Sequence, residues 1–308
     1  NKYTPVNIDP LSDQLVQNLK NDEDIKLMLN HIKRSTSKDD YFYRHLLSTI
    51  AHDVQHPTRN RIWGVLMCSK PGWGKTWLWR LLQEFNGRSN TQWIDQEDIV
   101  SPYRNWMLDC NMVIIDELRW DKNEKQFISK CKRLFTEEDH RVELKYKNKI
   151  ELIAHYNIWV SSNDFVPFSV DQEERRWHII HIDETKEELI ADTSPDYYAK
   201  LHRLLKDEKD KLNYEFITKA YAFFKSYKID YTIFDKNNAP ITNAKEELKS
   251  LSLTQNQHDL NDLLHEGRAP FDRHMVCAES ILQEVRNSDI INRSRFMFQG
   301  LDRTAITN

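Results

Sequence analysis

Ser69-Lys70-Pro71-Gly72-Trp73-Gly74-Lys75-Thr76 is the stretch on which the reading of this 308-residue chain turns. A short apolar run, residues 62–68, precedes it. A helical pattern over residues 75–85 follows and ends at Asn86-Gly87, a helix-stop signal. Strand, glycine turn and helix start, in that order, are the setting that a phosphate loop needs. Gly72 and Gly74 let the backbone curl so that several N–H groups point inward. The helix start adds partial positive charge. Lys75 supplies a full charge for the β- and γ-phosphates of a nucleotide, and the Thr76 hydroxyl a ligand for Mg²⁺. Position 69, usually glycine in such loops, is serine, which is still small enough to fit. The competing reading is a chance run of glycines before a helix; the flanking elements favour the phosphate loop.

Downstream, Met112-Val113-Ile114-Ile115-Asp116-Glu117 is an apolar strand that delivers two acids to its carboxyl end. In a parallel sheet that end lies beside the phosphate loop. Asp116 suits Mg²⁺ held through water, and Glu117 suits orientation or deprotonation of an attacking water. Neighbouring strand residues face opposite ways, so the two roles differ. Trp159-Val160-Ser161-Ser162-Asn163 is another apolar strand with a polar end. Asn163 could hold a water beside a γ-phosphate, although in isolation a turn asparagine is the stronger reading.

Arg175 and Arg176 lead into the apolar strand 177–182. An arginine there can fork onto a neighbouring subunit's γ-phosphate, or pair with the adjacent Glu173 and Glu174. In Arg141–Lys149, apolar and charged side chains alternate, and Asn148-Lys149 can turn the chain into residues 150–153. Lys145, Lys147 and Lys149 would then sit at a cationic hairpin tip able to hold a phosphate backbone. A lysine-protected edge strand fits the same residues. His178 and His181 are an odd number apart and face opposite sides of a strand, so they read as structural. Trp77, Trp79 and Phe85 read as core.

Outside this middle stretch the chain changes texture. All nine tryptophans lie between Trp63 and Trp177. Residues 1–58 read as helical, with a stripe of Leu11, Leu15 and Leu19, then Ile25, Met28 and Ile32, then Leu46, Leu47 and Ile50. From Glu184 the chain is again polar and helical, with stripes at Leu201, Leu204 and Leu205 and at Phe216, Ala220, Phe223 and Phe224. The expected organisation is a helical region at 1–58, a mostly parallel α/β core at 59–185 and a mainly helical region at 186–308.

Composition bounds the function. Apolar residues are 39% and charged residues 30%, enough for a packed core. Mean hydropathy of −0.74 and the lack of a long apolar run argue against a membrane span. The net charge of −4 excludes a strongly basic coat but not a local basic groove. Cys68, Cys110, Cys131 and Cys277 form no CxxC pair, which fits a reducing compartment such as the cytoplasm. The first residue is Asn rather than Met, so the expectation is a piece of a longer polypeptide.

In order and spacing these motifs resemble the superfamily 3 helicases of viruses, phages and plasmids, which are AAA+ ring motors, and among them the phage and plasmid primase-helicases. The likeness covers roughly residues 50–185, with weaker similarity over 197–229 and 239–251. It implies an AAA+ phosphate-loop core in a ring, a hexamer, that hydrolyses ATP with Mg²⁺ and moves 3′ to 5′ on single-stranded DNA. By the same likeness Lys75 and Thr76 match the A motif, Asp116 and Glu117 the B motif, and Lys145 and Lys147 a channel-lining hairpin. Asn163 matches the C motif, and Arg175 or Arg176 the arginine finger. Asn105-Trp106 matches the short stretch before the B strand. The likeness also implies a primase-polymerase domain in the same chain and residence in the host cytoplasm. Two rivals stay open: an ATP-binding assembly or loading module without unwinding, and an RNA helicase of the same superfamily.

Overall fold

The computed structural model describes residues 4, 6, 8, 11–119, 124–137, 139–143, 149–165, 167, 175–207 and 209–251. The strands are β1 (Gly64–Ser69), β2 (Thr91–Trp93), β3 (Met112–Leu118), β4 (Asp139–Val142), β5 (Ile150–Ile153), β6 (Asn157–Ser162) and β7 (Trp177–Ile182). The helices are α1 (Asp13–Asn18), α2 (Glu23–Ser35), α3 (Asp40–Gln55), α4 (Lys75–Asn86), α5 (Gln96–Val100), α6 (Glu124–Thr136), α7 (Lys186–Asp192), α8 (Tyr197–Leu205), α9 (Tyr214–Ser226) and α10 (Asn243–Leu251). The chain divides into two compact units, residues 1–248 and 249–308, and the fold below is that of the first.

Five strands form one parallel sheet in the order β2-β3-β6-β1-β7. Strands β4 and β5 form a separate antiparallel pair. Because successive strand residues alternate in direction, each central strand serves two cores. Val65 and Met67 of β1, Ile114 of β3, Trp159 of β6 and Ile180 of β7 join α2, α3, α4, α8 and α9 on one face. Leu66, Val113, Val160 and Ile179 join α5, α6 and the β4–β5 pair on the other. Burial on both faces explains why these strands read as continuous apolar runs rather than as alternating ones. The molecule is thus an α/β fold, a parallel five-stranded sheet flanked by helices.

Strand β6 lies between β1 and the acid-bearing β3, so Asn163 comes to sit between the loop and the acids. One expectation shifts. The stripe Leu11, Leu15, Leu19 forms only the short helix α1 and a 3-10 turn, and Leu15 stays 56% exposed. Elsewhere the local signals hold. Asp22 caps α2 by accepting from the amides of Asp24 and Ile25, and Asp39 caps α3 by accepting from that of Phe42. Gly87 ends α4 with φ +88, a conformation that glycine adopts without strain. Among the described residues no helix is long and apolar enough to cross a membrane.

Candidate nucleotide site

The loop between β1 and α4 carries the site. Gly72 and Gly74 have φ of +81 and +113, so the curl uses backbone angles that side-chain-bearing residues rarely adopt. A Cβ at Gly74 would come within 2.9 Å of the His31 ring, so neither angle nor space admits another residue there. Trp73 is buried and lies under the loop. Its indole stacks on His31 at 4.5 Å, and its carbonyl accepts from the Tyr198 hydroxyl at 3.0 Å. His31 in turn lies 3.1 Å from the Tyr197 hydroxyl. Helices α2 and α8 therefore both brace the loop.

Lys75 opens α4 and is only 7% exposed. Its ammonium donates to the Ser69 carbonyl (3.1 Å), to Ser69 Oγ (2.6 Å) and to Asn163 Oδ1 (3.0 Å). Burial draws this ammonium below its ordinary pKa, and the nearby Asp116 and Glu117 carboxylates oppose that effect. The serine at position 69 thus does more than fit: it is an acceptor for the loop's cation.

Thr76 donates to Asp116 Oδ2 at 3.0 Å, and the other Asp116 oxygen accepts from Ser161 Oγ. Asn163 completes the cluster by donating from Nδ2 to Glu117 Oε1 at 3.3 Å. Glu117 sits in the left-handed region, φ +61, where the pairing of β3 with β6 shifts register. That break carries Glu117 out of the plain strand alternation. Its carboxylate also pairs with Arg119 at 2.9 Å. The structure therefore brings together Ser69, Lys75, Thr76, Asp116, Glu117 and Asn163. Sequence reasoning missed Ser161 and Arg119. Ser161 had a signal: it stands two before Asn163, at the polar end of β6.

The donor set suits Mg²⁺. Thr76 and Asp116 offer a hydroxyl and a carboxylate side by side, hard oxygen ligands that leave room for phosphate oxygens. Among the described residues no group of three or more His, Cys, Asp or Glu side chains would hold a metal ion by itself.

The two arginines are placed elsewhere. Arg176 precedes β7, and its carbonyl accepts from the Gly64 amide at 2.8 Å; that of Arg175 accepts from the Ala239 amide at 3.0 Å. Both stand at the amino end of the sheet. In the register of β1 and β7, Gly64 faces Trp177 and Ser69 faces Ile182. The loop is therefore roughly 17 Å farther along, at ~3.3 Å per residue. They are not part of this chain's own cluster.

Strands β4 and β5 pair antiparallel on either side of the basic segment, with Val142 opposite Ile150. His140 and Val142 point inward, Asp139 and Arg141 outward. Lys149 is exposed and pairs with Glu143 at 3.2 Å. Lys145 and Lys147 lie outside the described residues. His178 and His181 do face opposite sides: His178 packs on His45 and Trp63, His181 on Phe165.

Among curated proteins no sequence relative matches the chain. A family described as "Family of unknown function (DUF5906)" matches residues 67–176, the segment from β1 to the start of β7. Among solved structures, the apo structure of the NrS-1 C-terminal region is similar with a TM-score of 0.63 and 16% identity, over 96% of this chain and 65% of that one. A second, the A form of that apo region, gives 0.61 and 16% over 100% and 66%. The chain thus spans just under two thirds of the length of the first of these. At such identity the likeness is one of fold.

Proposed function

We propose that this chain is an ATP-hydrolysing motor of the superfamily 3 type that moves along single-stranded DNA as a ring. One observation carries the reading: the loop cation, the polar end of the β6 segment and both acids of β3 come together in two adjoining hydrogen-bonded triads, Lys75–Asn163–Glu117 beside Thr76–Asp116–Ser161. Lys75 and the loop amides bind the phosphates. Glu117 takes the proton of the attacking water, and Asn163 fixes that water's position between acid and phosphate. When bound between Thr76, Asp116 and the phosphates, Mg²⁺ supplies charge neutralisation at the transferring group. Arg175 and Arg176, at the far end of the sheet, suit a role toward a neighbouring subunit's nucleotide rather than their own. Lys145, Lys147 and Lys149 suit contact with the DNA backbone.

The test is phosphate release from ATP, measured alone, with single-stranded DNA and with single-stranded RNA. Stimulation by DNA supports the motor. Hydrolysis without stimulation by either favours a loading module, and stimulation by RNA alone favours the RNA helicase. The double variant Lys145→Ala, Lys147→Ala should spare basal hydrolysis, weaken DNA binding and lower the salt slope by about 1.4, at ~0.7 per phosphate contact on a single strand. An unchanged DNA affinity and slope would leave the hairpin as a mere edge.

A further inference from the structure

Helix α7 starts beside the phosphate loop, and its first residue is in the wrong place for helix stability. Thr185 and Glu188 form a capping box, and Glu187 and Glu188 complement the partial positive charge of the helix start. Lys186 opposes it. Among the described residues no carboxylate pairs with Lys186, and its side chain is exposed. Its stem lies over the loop: a Cβ on Gly72 would be 3.5 Å from Lys186 Cδ. Its ammonium stands 5.5 Å from the centroid of the Tyr198 ring. Tyr198 is the residue whose hydroxyl holds the Trp73 carbonyl.

The helix that carries Lys186 is also anchored. The buried Arg34 guanidinium pairs with Glu184 just before α7 and with Asp192 at its end, the latter at 2.7 Å. Lys70, the exposed cation of the loop itself, lies near Glu188 and, after the larger hydrogen bonds from Thr185, helps to hold that carboxyl below its usual range. Lys186 has no such occupation.

We propose that Lys186 is a second phosphate-binding cation of this site, reaching across Gly72 to the polyphosphate of a bound nucleoside triphosphate. The proposal rests on the reading of the loop as a nucleotide site and adds a contact from outside the loop motif. An exposed ammonium at the rim contributes through charge, so its effect depends on salt and on the charge of the ligand.

The experiment is an equilibrium titration with fluorescently labelled ATP and with AMP as competitor, at low and moderate salt, on wild type, Lys186→Met, Lys186→Glu and Lys186→Arg. Lys186→Met should weaken ATP about tenfold and Lys186→Glu further, while Lys186→Arg stays near wild type. AMP should change less than ATP, the salt slope should fall in Lys186→Met, and no variant should melt below the wild-type temperature, with Lys186→Glu, which suits the helix start, at or above it. If Lys186 only buttressed Tyr198, Met and Glu would act alike and the salt slope would not move; that result overturns the proposal. Wild-type ATP affinity in Lys186→Met overturns it alone. Absence of ATP binding by the wild-type protein, with no further loss in Lys75→Ala, overturns the nucleotide reading and this proposal with it.

Discussion

Asn163 Oδ1 accepts from the ammonium of Lys75 at 3.0 Å, while its Nδ2 donates to Glu117. One carboxamide thereby links the cation that would hold phosphate to the acid that would activate water. The amide's direction is set by its neighbours: oxygen toward the cation, NH₂ toward the carboxylate. A carboxamide carries its acceptor and its donors on separate atoms, so it meets the cation and the carboxylate at once.

Replacing that link separates binding from chemistry. In Asn163→Ala the phosphates keep Lys75 and the loop amides, so ATP affinity should stay within about threefold. Turnover loses the group that positions water and should fall by roughly 10²–10³. Steady-state phosphate release together with ATP titration checks both. A turnover near wild type would assign Asn163 to the turn and not to the chemistry.

Lys75→Met should show the opposite split. Burial lowers the Lys75 pKa below 10.5, so at neutral pH the buried charge costs stability, and that cost declines as pH rises through the lowered value. Removing the charge should leave the melting temperature equal or higher, although Ser69 and Asn163 lose a donor. ATP binding should be abolished, because the phosphates lose the loop's buried ammonium. Retained ATP affinity in this variant contradicts the assignment of the loop.

A second buried charge is structural. Asp53 of α3 accepts from Arg61 Nε at 3.0 Å and from Nη2 at 2.9 Å, and also from Trp159 Nε1 at 3.1 Å. The guanidinium stands over the Trp63 and Trp159 rings, 4.4 and 5.1 Å from their centroids. Asp53→Asn leaves that cation buried and poorly matched, and should cost about 3–5 kcal/mol in urea unfolding. The pair Asp53→Leu with Arg61→Met should cost less than the single change, since no lone charge remains. A single variant within about 1 kcal/mol of wild type would show that the charge is relieved by water.

Which of these features the sequence exposes follows from how local each one is. Strand β1, the loop and α4 are contiguous, so glycine, lysine and helix period identify them together. The acids of β3 and Asn163, just past β6, are visible because each ends an apolar run. Their strand order is not: that β6 lies between β1 and β3 depends on pairing between distant segments. The Asp53–Arg61–Trp159 contacts, the stacking of His31 on Trp73 and the hydrogen bond from Tyr198 join residues from separate elements, and no spacing rule announces them. The left-handed Glu117 is hidden for another reason. A strand pattern implies alternation, and the register shift that breaks it is set by the neighbouring strand.

Three buried histidines make acid stability a sharp test of the packing. Burial lowers His31 to about 4, with Arg34 adding to it and a Gly74 backbone hydrogen bond opposing. Burial, aided by Arg61, lowers His45 to about 3. His178 lies well below its ordinary value through burial and then through His45, Lys245 and Arg61. All three are neutral in the fold but take up protons near pH 6.5 when unfolded. Their contribution is therefore intact above about pH 6.5 and is lost as pH falls toward the lowered values. Each adds a slope of up to about 1.4 kcal/mol per pH unit, so together they approach ~4 kcal/mol per unit. Urea midpoints at pH 7.5, 6.0 and 5.0 should be flat above neutrality and fall steeply below 6.5. His178→Leu should reduce the slope by about a third, since no hydrogen bond to its ring nitrogens is present among the described residues. A midpoint that stays level down to pH 5 would mean that these rings are already charged or hydrated in the folded protein, and that the packing between α3 and β7 is looser than described.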